Sequence, residues 1–267
     1  MSHDLATADV RGTTLAFTDQ GPRDGVAVVL SHSLFFDHTM FEPLTERLVE
    51  AGYRVVAYDH RGQGGSAAAS RDQVSMDELT EDAAALIQHL DLGKVHAVGN
   101  SMGGFISLRL AARRPDLLLS AVALGSSAEE EHQLEAFAPL VDLLGEVGGA
   151  PVVDTLLHIM FGDATLAAGG PVVDHWRASM ADLGPEIADS AYQVIHRRSI
   201  VDELAGCAVP VLAISGSEDH AYPPPISDEN IAQTTGGSWH RVQAAGHSVA
   251  LEQSGEVADL LLEHLAG

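Results

Sequence analysis

The stretch Val98-Gly99-Asn100-Ser101-Met102-Gly103-Gly104 decides the fold. It carries the pattern Gly-x-Ser-x-Gly, follows a short apolar run at residues 95–98, and precedes a run of helical character at residues 105–110. A serine flanked by glycines between a strand and a helix can occupy a very tight turn, from which its hydroxyl projects at the carboxyl edge of a sheet. The pattern therefore predicts an α/β fold in which Ser101 is the nucleophile.

Short apolar runs alternate with segments of helical period along the rest of the chain. Nearly continuous apolar strands separated by helices are typical of a mostly parallel central sheet flanked by helices, so the predicted fold class is α/β. Residues 14–17 are predicted to add an antiparallel edge strand. The other predicted strands are residues 26–30, 53–58, 120–124 and 211–214.

The strand pattern stops between residue 126 and about residue 204. Apolar residues recur with helical period in this region, at residues 134–144, 152–160 and 172–180. A chain of 267 residues with 46% hydrophobic content is long enough to bury one large core. We therefore predict an α/β core formed by residues 1–126 and 205–267, and an inserted helical cap formed by residues 127–204.

Composition excludes several classes of partner and cofactor. The formal net charge of -24, with Lys94 as the only lysine, disfavours binding to nucleic acid and to anionic membrane surfaces. The single cysteine, Cys207, allows no internal disulfide and no thiolate metal cluster. The start, Met1-Ser2-His3-Asp4, lacks the basic and apolar regions of a secretory signal, and no apolar run approaches a membrane span. We expect a cytoplasmic protein without cofactor or metal.

A serine hydroxyl is a weak nucleophile unless a histidine removes its proton and a carboxylate orients that histidine. The chain contains 14 histidines. Over nearly its whole length it resembles the α/β-hydrolase superfamily, and this resemblance implies the chain order serine, aspartate, histidine. Asp219 follows the predicted strand at residues 211–214, and His247 lies just beyond the run Trp239-His240-Arg241-Val242. The resemblance therefore implies the triad Ser101, Asp219 and His247.

Loops at the same sheet edge resemble those of the esterase, enol-lactonase and perhydrolase group within the superfamily. These loops are Ser31-His32-Ser33-Leu34, Asp59-His60-Arg61-Gly62-Gln63-Gly64-Gly65-Ser66 and Gly216-Ser217-Glu218-Asp219. The turn around Ser101 also resembles that of meta-cleavage-product hydrolases, which break carbon–carbon bonds. Those enzymes carry a glycine-rich oxyanion loop, whereas this chain has Ser33-Leu34-Phe35-Phe36, which disfavours that alternative.

Two backbone N–H groups are expected to stabilise the oxyanion that forms during hydrolysis. Met102, which follows the nucleophile, should supply one, and the resemblance assigns the second to Leu34. Phe35 and Phe36 lie beside Leu34 in sequence and are predicted to line the substrate pocket. In the cap, Met160 and Trp176 are further pocket candidates, although apolar residues at helical spacing more often only pack the cap onto the core.

Other residues could take these roles. Glu218, next to Asp219, and Glu129, after the predicted strand at 120–124, are alternative acids. His32, His38 and His60 lie at the same sheet edge, but no metal-ligand spacing accompanies them, so they are interpreted as structural hydrogen-bonding groups.

The leading functional hypothesis is hydrolysis of a small carboxylic ester or lactone through an acyl-enzyme, without a cofactor. One alternative is a perhydrolase or non-haem haloperoxidase-like activity, in which a peroxide replaces water. Another is a slow-turnover ligand-sensing module, which would need a partner-binding surface on the cap. A large exposed apolar patch there would favour sensing, whereas rapid ester turnover without a partner would exclude it.

Overall fold

Eight strands form a single sheet in the computed structural model, which describes residues 5–267; the segment Met1–Asp4 that bears on the expected lack of a signal lies outside this range. The sheet order is β1-β2-β4-β3-β5-β6-β7-β8, antiparallel at β1–β2 and β2–β4 and parallel at every other pair. The predicted mostly parallel sheet is therefore confirmed. The strands are β1 (Ala6–Val10), β2 (Thr13–Gln20), β3 (Ala27–Ser31), β4 (Arg54–Tyr58), β5 (Val95–Asn100), β6 (Leu118–Leu124), β7 (Val211–Gly216) and β8 (Ser238–Val242).

The edge prediction for residues 14–17 was wrong in one respect. These residues lie in β2, which pairs with β1 on one side and β4 on the other, so the edge strand is β1. Arg11 and Gly12 turn the chain between β1 and β2 with φ angles of 47° and 75°. The β1 sequence Ala-Thr-Ala-Asp-Val has small and polar residues at three exposed positions, so it gives little apolar signal.

Helices cover the sheet and fill the region between β6 and β7. No helix within residues 5–267 combines the length and apolar character needed to cross a bilayer. Shorter 3₁₀ turns lie at His38–Phe41, Arg71–Gln73, Pro115–Leu117 and Ala150–Val152. The α-helices are α1 (Glu42–Glu50), α2 (Met76–His89), α3 (Met102–Arg113), α4 (Leu134–Val147), α5 (Val153–Met160), α6 (Asp163–Ala168), α7 (Pro171–Ala181), α8 (Ile187–Ile195), α9 (Val201–Leu204), α10 (Glu229–Thr235), α11 (Val249–Glu252) and α12 (Ser254–Leu265).

Six helices, α4 to α9, follow one another between β6 and β7. The predicted helical segments 134–144, 152–160 and 172–180 fall in α4, α5 and α7, and α4 packs on α8 while α5 packs on α7. We keep residues 127–204 as the proposed cap. The sheet therefore supplies the loops at one edge, and the inserted helices supply the surface that faces them.

Candidate active site

Ser101 occupies a strained turn between β5 and α3. Its φ of 53° and ψ of -112° place a non-glycine residue in a sparsely populated region, which persists only where the surroundings hold it. The Ser101 N–H donates to the Leu124 carbonyl at 2.8 Å, and the Ser126 hydroxyl donates to the Ser101 carbonyl at 2.8 Å. Hydrogen bonds to β6 and to the Ser126 side chain in the loop after it thus hold the serine backbone in this conformation.

The two glycines of the pattern are required by close packing. A Cβ on Gly99 would lie 2.0 Å from the Gly103 carbonyl oxygen, and a Cβ on Gly103 would lie 1.9 Å from the Ser31 carbonyl oxygen. Neither distance is compatible with a side chain, so β3, β5 and the start of α3 approach as closely as they do only because both positions are glycine. This packing brings Ser101 to the carboxyl edge of the sheet.

Asp219 and His247 form a buried pair beside this turn. His247 Nδ1 donates to Asp219 Oδ2 at 3.0 Å and lies 3.1 Å from Oδ1. Asp219 Oδ1 also accepts from the backbone N–H groups of Ala221 and Tyr222, both at 2.8 Å. The carboxylate is therefore fixed by its own loop and leaves Oδ2 to hold the imidazole, with Nε2 as the nitrogen free to act as base.

Ser101 and His247 meet in one cavity, whose wall they share. No hydrogen bond joins the Ser101 hydroxyl to His247 among the described residues 5–267; such contacts often tighten only when substrate binds. The sequence-predicted triad members are thus brought to one place, with the His247–Asp219 bond already formed.

Asn100 connects the loops around Ser101. Its Nδ2 donates to the Ser33 hydroxyl and to the His247 carbonyl oxygen, both at 2.9 Å, and the Ser33 hydroxyl donates back to the Asn100 carbonyl at 3.2 Å. The Ser33 side chain is buried and makes both of these contacts with Asn100. The departure noted in the sequence therefore joins the loop before Leu34 to the turn at Ser101.

The two proposed oxyanion donors lie on these linked elements. Leu34 lines the cavity with Ser101, and Met102 is the first residue of α3. Within residues 5–267 neither N–H donates to a protein acceptor, so both are free to bind an oxygen of a substrate. We keep Leu34 and Met102 as the proposed donors.

The cavity beside Ser101 is almost entirely apolar. With its mouth it comprises about 500 Å³ of empty space, and its titratable or hydroxyl-bearing wall residues are Ser101, Tyr222 and His247. The remaining wall residues are apolar and come mostly from the proposed cap: Leu34, Phe35, Phe137, Leu140, Val141, Leu144, Ile159, Met160, Ala191, Val194, Ile195 and Ala221. The cap residues at α4 and α8 were missed from the sequence, because helical period does not distinguish a face that packs from a face that lines a cavity.

The four predicted pocket residues separate into two pairs. Phe35 and Met160 line the cavity, whereas Phe36 and Trp176 lie outside it and pack on each other with ring centroids 4.4 Å apart. Phe35 has a φ of 72°, so the chain reverses there and sends successive side chains to different surroundings. Phe36 and Trp176 therefore pack α7 against the core and do not contact a ligand in this cavity.

The alternative acids do not face His247. The Glu218 carboxylate accepts from the Ala164 N–H at 2.8 Å, at the start of α6, and Glu129 Oε1 accepts from the Asn230 side chain at 3.0 Å. Both carboxylates therefore act in local structure.

The three histidines at the sheet edge have structural partners. The His60 N–H donates to His32 Nε2 at 3.0 Å, and His60 Nε2 donates to the His32 carbonyl oxygen at 3.0 Å. Burial lowers the pKa of both residues, so they remain neutral. Burial also opposes protonation of His38, but its hydrogen bond to Asp59 and the negative charges around it together outweigh burial and raise the pKa of His38.

Tyr222 belongs to a buried network that the sequence did not indicate. Its hydroxyl donates to Glu131 Oε2 at 2.8 Å, and Arg197 Nη1 donates to the same oxygen at 2.9 Å. The Tyr222 ring lies 5.4 Å from the His247 ring, and its N–H holds Asp219. This network, which comes from distant parts of the chain, supports the wall of the cavity next to the histidine.

Glu252 is a second unpredicted residue near the histidine. Its carboxylate accepts from the N–H groups of Gly162 and Gly246, both at 2.9 Å, and from the Thr165 hydroxyl at 2.6 Å. Burial raises the pKa of Glu252, because the charged form loses water. The carboxylate thus joins the turn between α5 and α6 to the loop that carries His247.

The fold and the turn at Ser101 define a hydrolase of the α/β class. Residues 26–146 match the alpha/beta hydrolase fold family. The chain is 30% identical to a non-heme chloroperoxidase of Streptomyces lividans over 253 residues, covering 86% of this chain and 88% of the relative. It therefore belongs to the α/β-hydrolase superfamily.

Two solved structures have the same architecture. The enol-lactonase from Burkholderia xenovorans LB400 is similar with a TM-score of 0.90 at 26% identity, covering 98% of this chain and 100% of that one. A thermophilic esterase from Thermogutta terrifontis is similar with a TM-score of 0.88 at 25% identity, covering 98% of both chains. The three relatives carry three different activities in their names, so the shared fold alone does not identify the substrate of this chain.

Proposed function

We propose that the chain hydrolyses carboxylic esters with an uncharged, apolar acyl group, using Ser101, His247 and Asp219. The observation that carries this proposal is the cavity beside Ser101, whose wall has no lysine, arginine, aspartate or glutamate. A charged group placed there would lose its water without gaining a counter-charge, which is costly. An apolar acyl chain would gain by burial instead.

The proposed reaction proceeds in two similar steps. His247 Nε2 removes the proton from the Ser101 hydroxyl, and the serine oxygen attacks the ester carbonyl carbon. The oxyanion is stabilised by the N–H groups of Leu34 and Met102, and collapse of the tetrahedral intermediate expels the alcohol, which takes the proton from His247. Water then attacks the acyl-enzyme by the same route, which releases the acid and restores the serine. Asp219 stabilises the imidazolium in both steps.

The absence of charge on the cavity wall also separates uncharged substrates from carboxylated ones, whether they are esters or lactones. A lactone that carries a carboxylate would bring a negative charge against apolar side chains of α4 and α8, where the wall offers no cation. The similarity to an enol-lactonase supports ring-opening of lactones as a related activity, provided that the lactone is uncharged. Carboxylated lactones are therefore expected to be poor substrates.

The proposal is tested with a matched pair of substrates, p-nitrophenyl hexanoate and the mono-p-nitrophenyl ester of adipate. They share a six-carbon acyl chain and differ by one terminal carboxylate. We expect kcat/KM to rise by about fourfold for each added methylene between acetate and hexanoate, from about 0.8 kcal/mol of burial for each. The adipate ester should be at least about 100-fold worse than hexanoate, because burial of an unpaired charge costs several kcal/mol.

The catalytic assignment is tested with Ser101→Ala, using Ser238→Ala as a matched control at an exposed serine on β8. Ser101→Ala should reduce turnover to near background, and Ser238→Ala should behave as wild type. Unchanged turnover in Ser101→Ala would refute the mechanism, and equal activity on the two six-carbon esters would refute the substrate class.

A second candidate is perhydrolysis, supported by the similarity to a non-heme chloroperoxidase. In this reaction a carboxylic acid acylates Ser101 with loss of water, and hydrogen peroxide attacks the acyl-enzyme to give a peracid and free serine. Peracid formation from acetate and hydrogen peroxide measures it directly. If no peracid forms while esters are cleaved, the hydrolase alone remains.

A further inference from the structure

Three potential metal ligands converge near the loop after β7 that carries Asp219, which we call the catalytic-acid loop. They are His158 near the end of α5, Asp163 at the start of α6, and His220, the residue after Asp219. One ligand atom from each lies within 4.8 Å of the other two. The two imidazoles stack with ring centroids 4.2 Å apart, and Asp163 Oδ1 lies 3.1 Å from His220 Nε2. Two imidazoles and a carboxylate are thus gathered on the surface.

This set of donors suits one class of cation. Two histidines and one carboxylate form a common three-residue ligand set for Zn²⁺, with water as the fourth ligand, whereas Mg²⁺ and Ca²⁺ prefer oxygen. Ligands about 2.1 Å from a tetrahedral zinc lie about 3.4 Å from each other. The pair Asp163–His220 is already near this separation. The His158 ligand atom lies within 4.8 Å of the other two, so it must move closer by no more than about 1.4 Å to reach this separation, and its exposed side chain can rotate to do so.

A second group of potential ligands differs in its bonding. Asp37, His38 and Asp59 also converge, but Asp59 Oδ1 accepts from the His38 N–H and from His38 Nδ1, and Asp37 Oδ1 accepts from the Thr39 N–H. These carboxylates are occupied in stabilising the turn that precedes α1. In the group at His158, the hydrogen bond seen within residues 5–267 joins two of its own members.

We propose that His158, Asp163 and His220 bind a zinc-type divalent cation, which clamps the α5–α6 segment to the catalytic-acid loop. Cavity-wall residues adjoin the ligands on both sides, with Ile159 next to His158 and Ala221 next to His220. A bound ion therefore holds two walls of the cavity together. The net charge of -24 favours accumulation of cations around the chain. The clamp does not depend on which substrate the enzyme cleaves.

The first test is direct binding of ZnCl₂ to the chelator-treated full chain by isothermal titration calorimetry. We expect one site with a dissociation constant at or below about 10 μM. His158→Ala and Asp163→Asn should each weaken it at least tenfold, because each removes one of three ligands. His196→Ala is the matched control, since His196 is an exposed histidine that stacks on Tyr192 and should leave zinc binding unchanged.

The second test addresses the clamp, with hydrogen exchange followed by mass spectrometry with and without zinc. Zinc should slow exchange at both residues 156–164 and residues 218–223 in the wild type and the His196→Ala control, and at neither in His158→Ala. No binding up to about 1 mM zinc, or binding that His158→Ala and Asp163→Asn leave intact, would overturn the site. Protection confined to one of the two segments would overturn the clamp.

Discussion

The sharpest prediction concerns Asp219→Asn, because the structure determines which oxygen becomes the amide nitrogen. Asp219 Oδ1 accepts from the N–H groups of Ala221 and Tyr222, so the asparagine carbonyl must take this position. The reverse orientation would place the NH₂ group against two buried donors and leave both unpaired, at about 1–3 kcal/mol each. The amide nitrogen therefore takes the position of Oδ2, which faces His247 Nδ1 at 3.0 Å.

This orientation changes the tautomer of the histidine. Nδ1 lies 3.0 Å from the position of this NH₂ group and 3.1 Å from Oδ1, which already accepts two backbone N–H groups. A lone pair on Nδ1 therefore suits the amide better, so the proton of the neutral imidazole moves to Nε2. Nε2 then cannot accept the proton of Ser101, which removes the general base. Enzymes in which a catalytic Asp→Asn change produces this tautomer lose about 10⁴-fold in kcat. This corresponds to about 5.4 kcal/mol in the activation free energy, at 1.36 kcal/mol for each tenfold change.

The measurement is kcat for p-nitrophenyl butyrate, with ¹⁵N NMR of the imidazole to identify the protonated nitrogen. Glu129→Gln is the matched control, because it makes the same carboxylate-to-amide change at an alternative acid that contacts Asn230 and not His247. We expect its kcat to remain within about threefold of wild type, which is the scale of a surface substitution of about 0.5 kcal/mol. A value for Asp219→Asn within tenfold of wild type, with the protein folded, would refute this reasoning.

Three further predictions concern packing, pH and chain length. Gly103→Ala should lower the free energy of unfolding by about 3 kcal/mol or more, because the new Cβ would lie 1.9 Å from the Ser31 carbonyl oxygen. Gly255→Ala in α12 should raise it by up to about 1 kcal/mol, because nothing lies within 4 Å of the new Cβ. Urea unfolding measures both changes. Burial opposes ionisation of Asp59, yet its hydrogen bonds from His38 and from the Gly65 N–H, together with the neighbouring histidines, lower the pKa of Asp59 to about 2. The unfolded chain therefore binds more protons between about pH 4 and pH 2, so stability falls as pH falls through this window, and Asp59→Asn should weaken that dependence in urea titrations. Val141→Phe should narrow the cavity and lower kcat/KM for p-nitrophenyl octanoate more than for acetate, a ratio that equal losses on both esters would contradict.

Local sequence patterns predicted the fold well where a segment's own residues determine its structure. The sequence around Ser101 specifies a strand, a turn that needs glycine, and a helix, and each of these forms within a few residues of its prediction. The start of α2 is fixed just as locally, since the Ser75 side chain accepts from the Glu78 N–H at 3.2 Å. By contrast, β1 has small and polar residues and is stabilised by pairing with β2, which the sequence of β1 alone does not reveal.

The surroundings of the site could not be predicted because they depend on contacts between distant parts of the chain. His247 and Asp219 were found through a resemblance, yet the contacts that hold them come from residues with no local signal, such as Glu252 and Tyr222. Phe36 was placed in the pocket from its position next to Phe35, but the positive φ at Phe35 separates their directions. A backbone reversal of this kind follows from the packing of the loop, so the spacing of apolar residues in the sequence does not reveal it.

The attachments of the α5–α6 segment suggest how substrate size is coupled to catalysis. Glu252 joins this segment to the N–H of Gly246, the residue before His247, and His220 follows Asp219 directly within reach of Asp163. An acyl group that displaces the α5 wall must therefore strain contacts that hold the histidine and the carboxylate. A substrate too large for the cavity should then lower kcat as well as raise KM, because the misplacement reaches the base. Glu252→Gln should weaken the contacts of this side chain with Gly162 and Gly246. The value of kcat should then fall for small and large esters alike and no longer depend on the size of the acyl group.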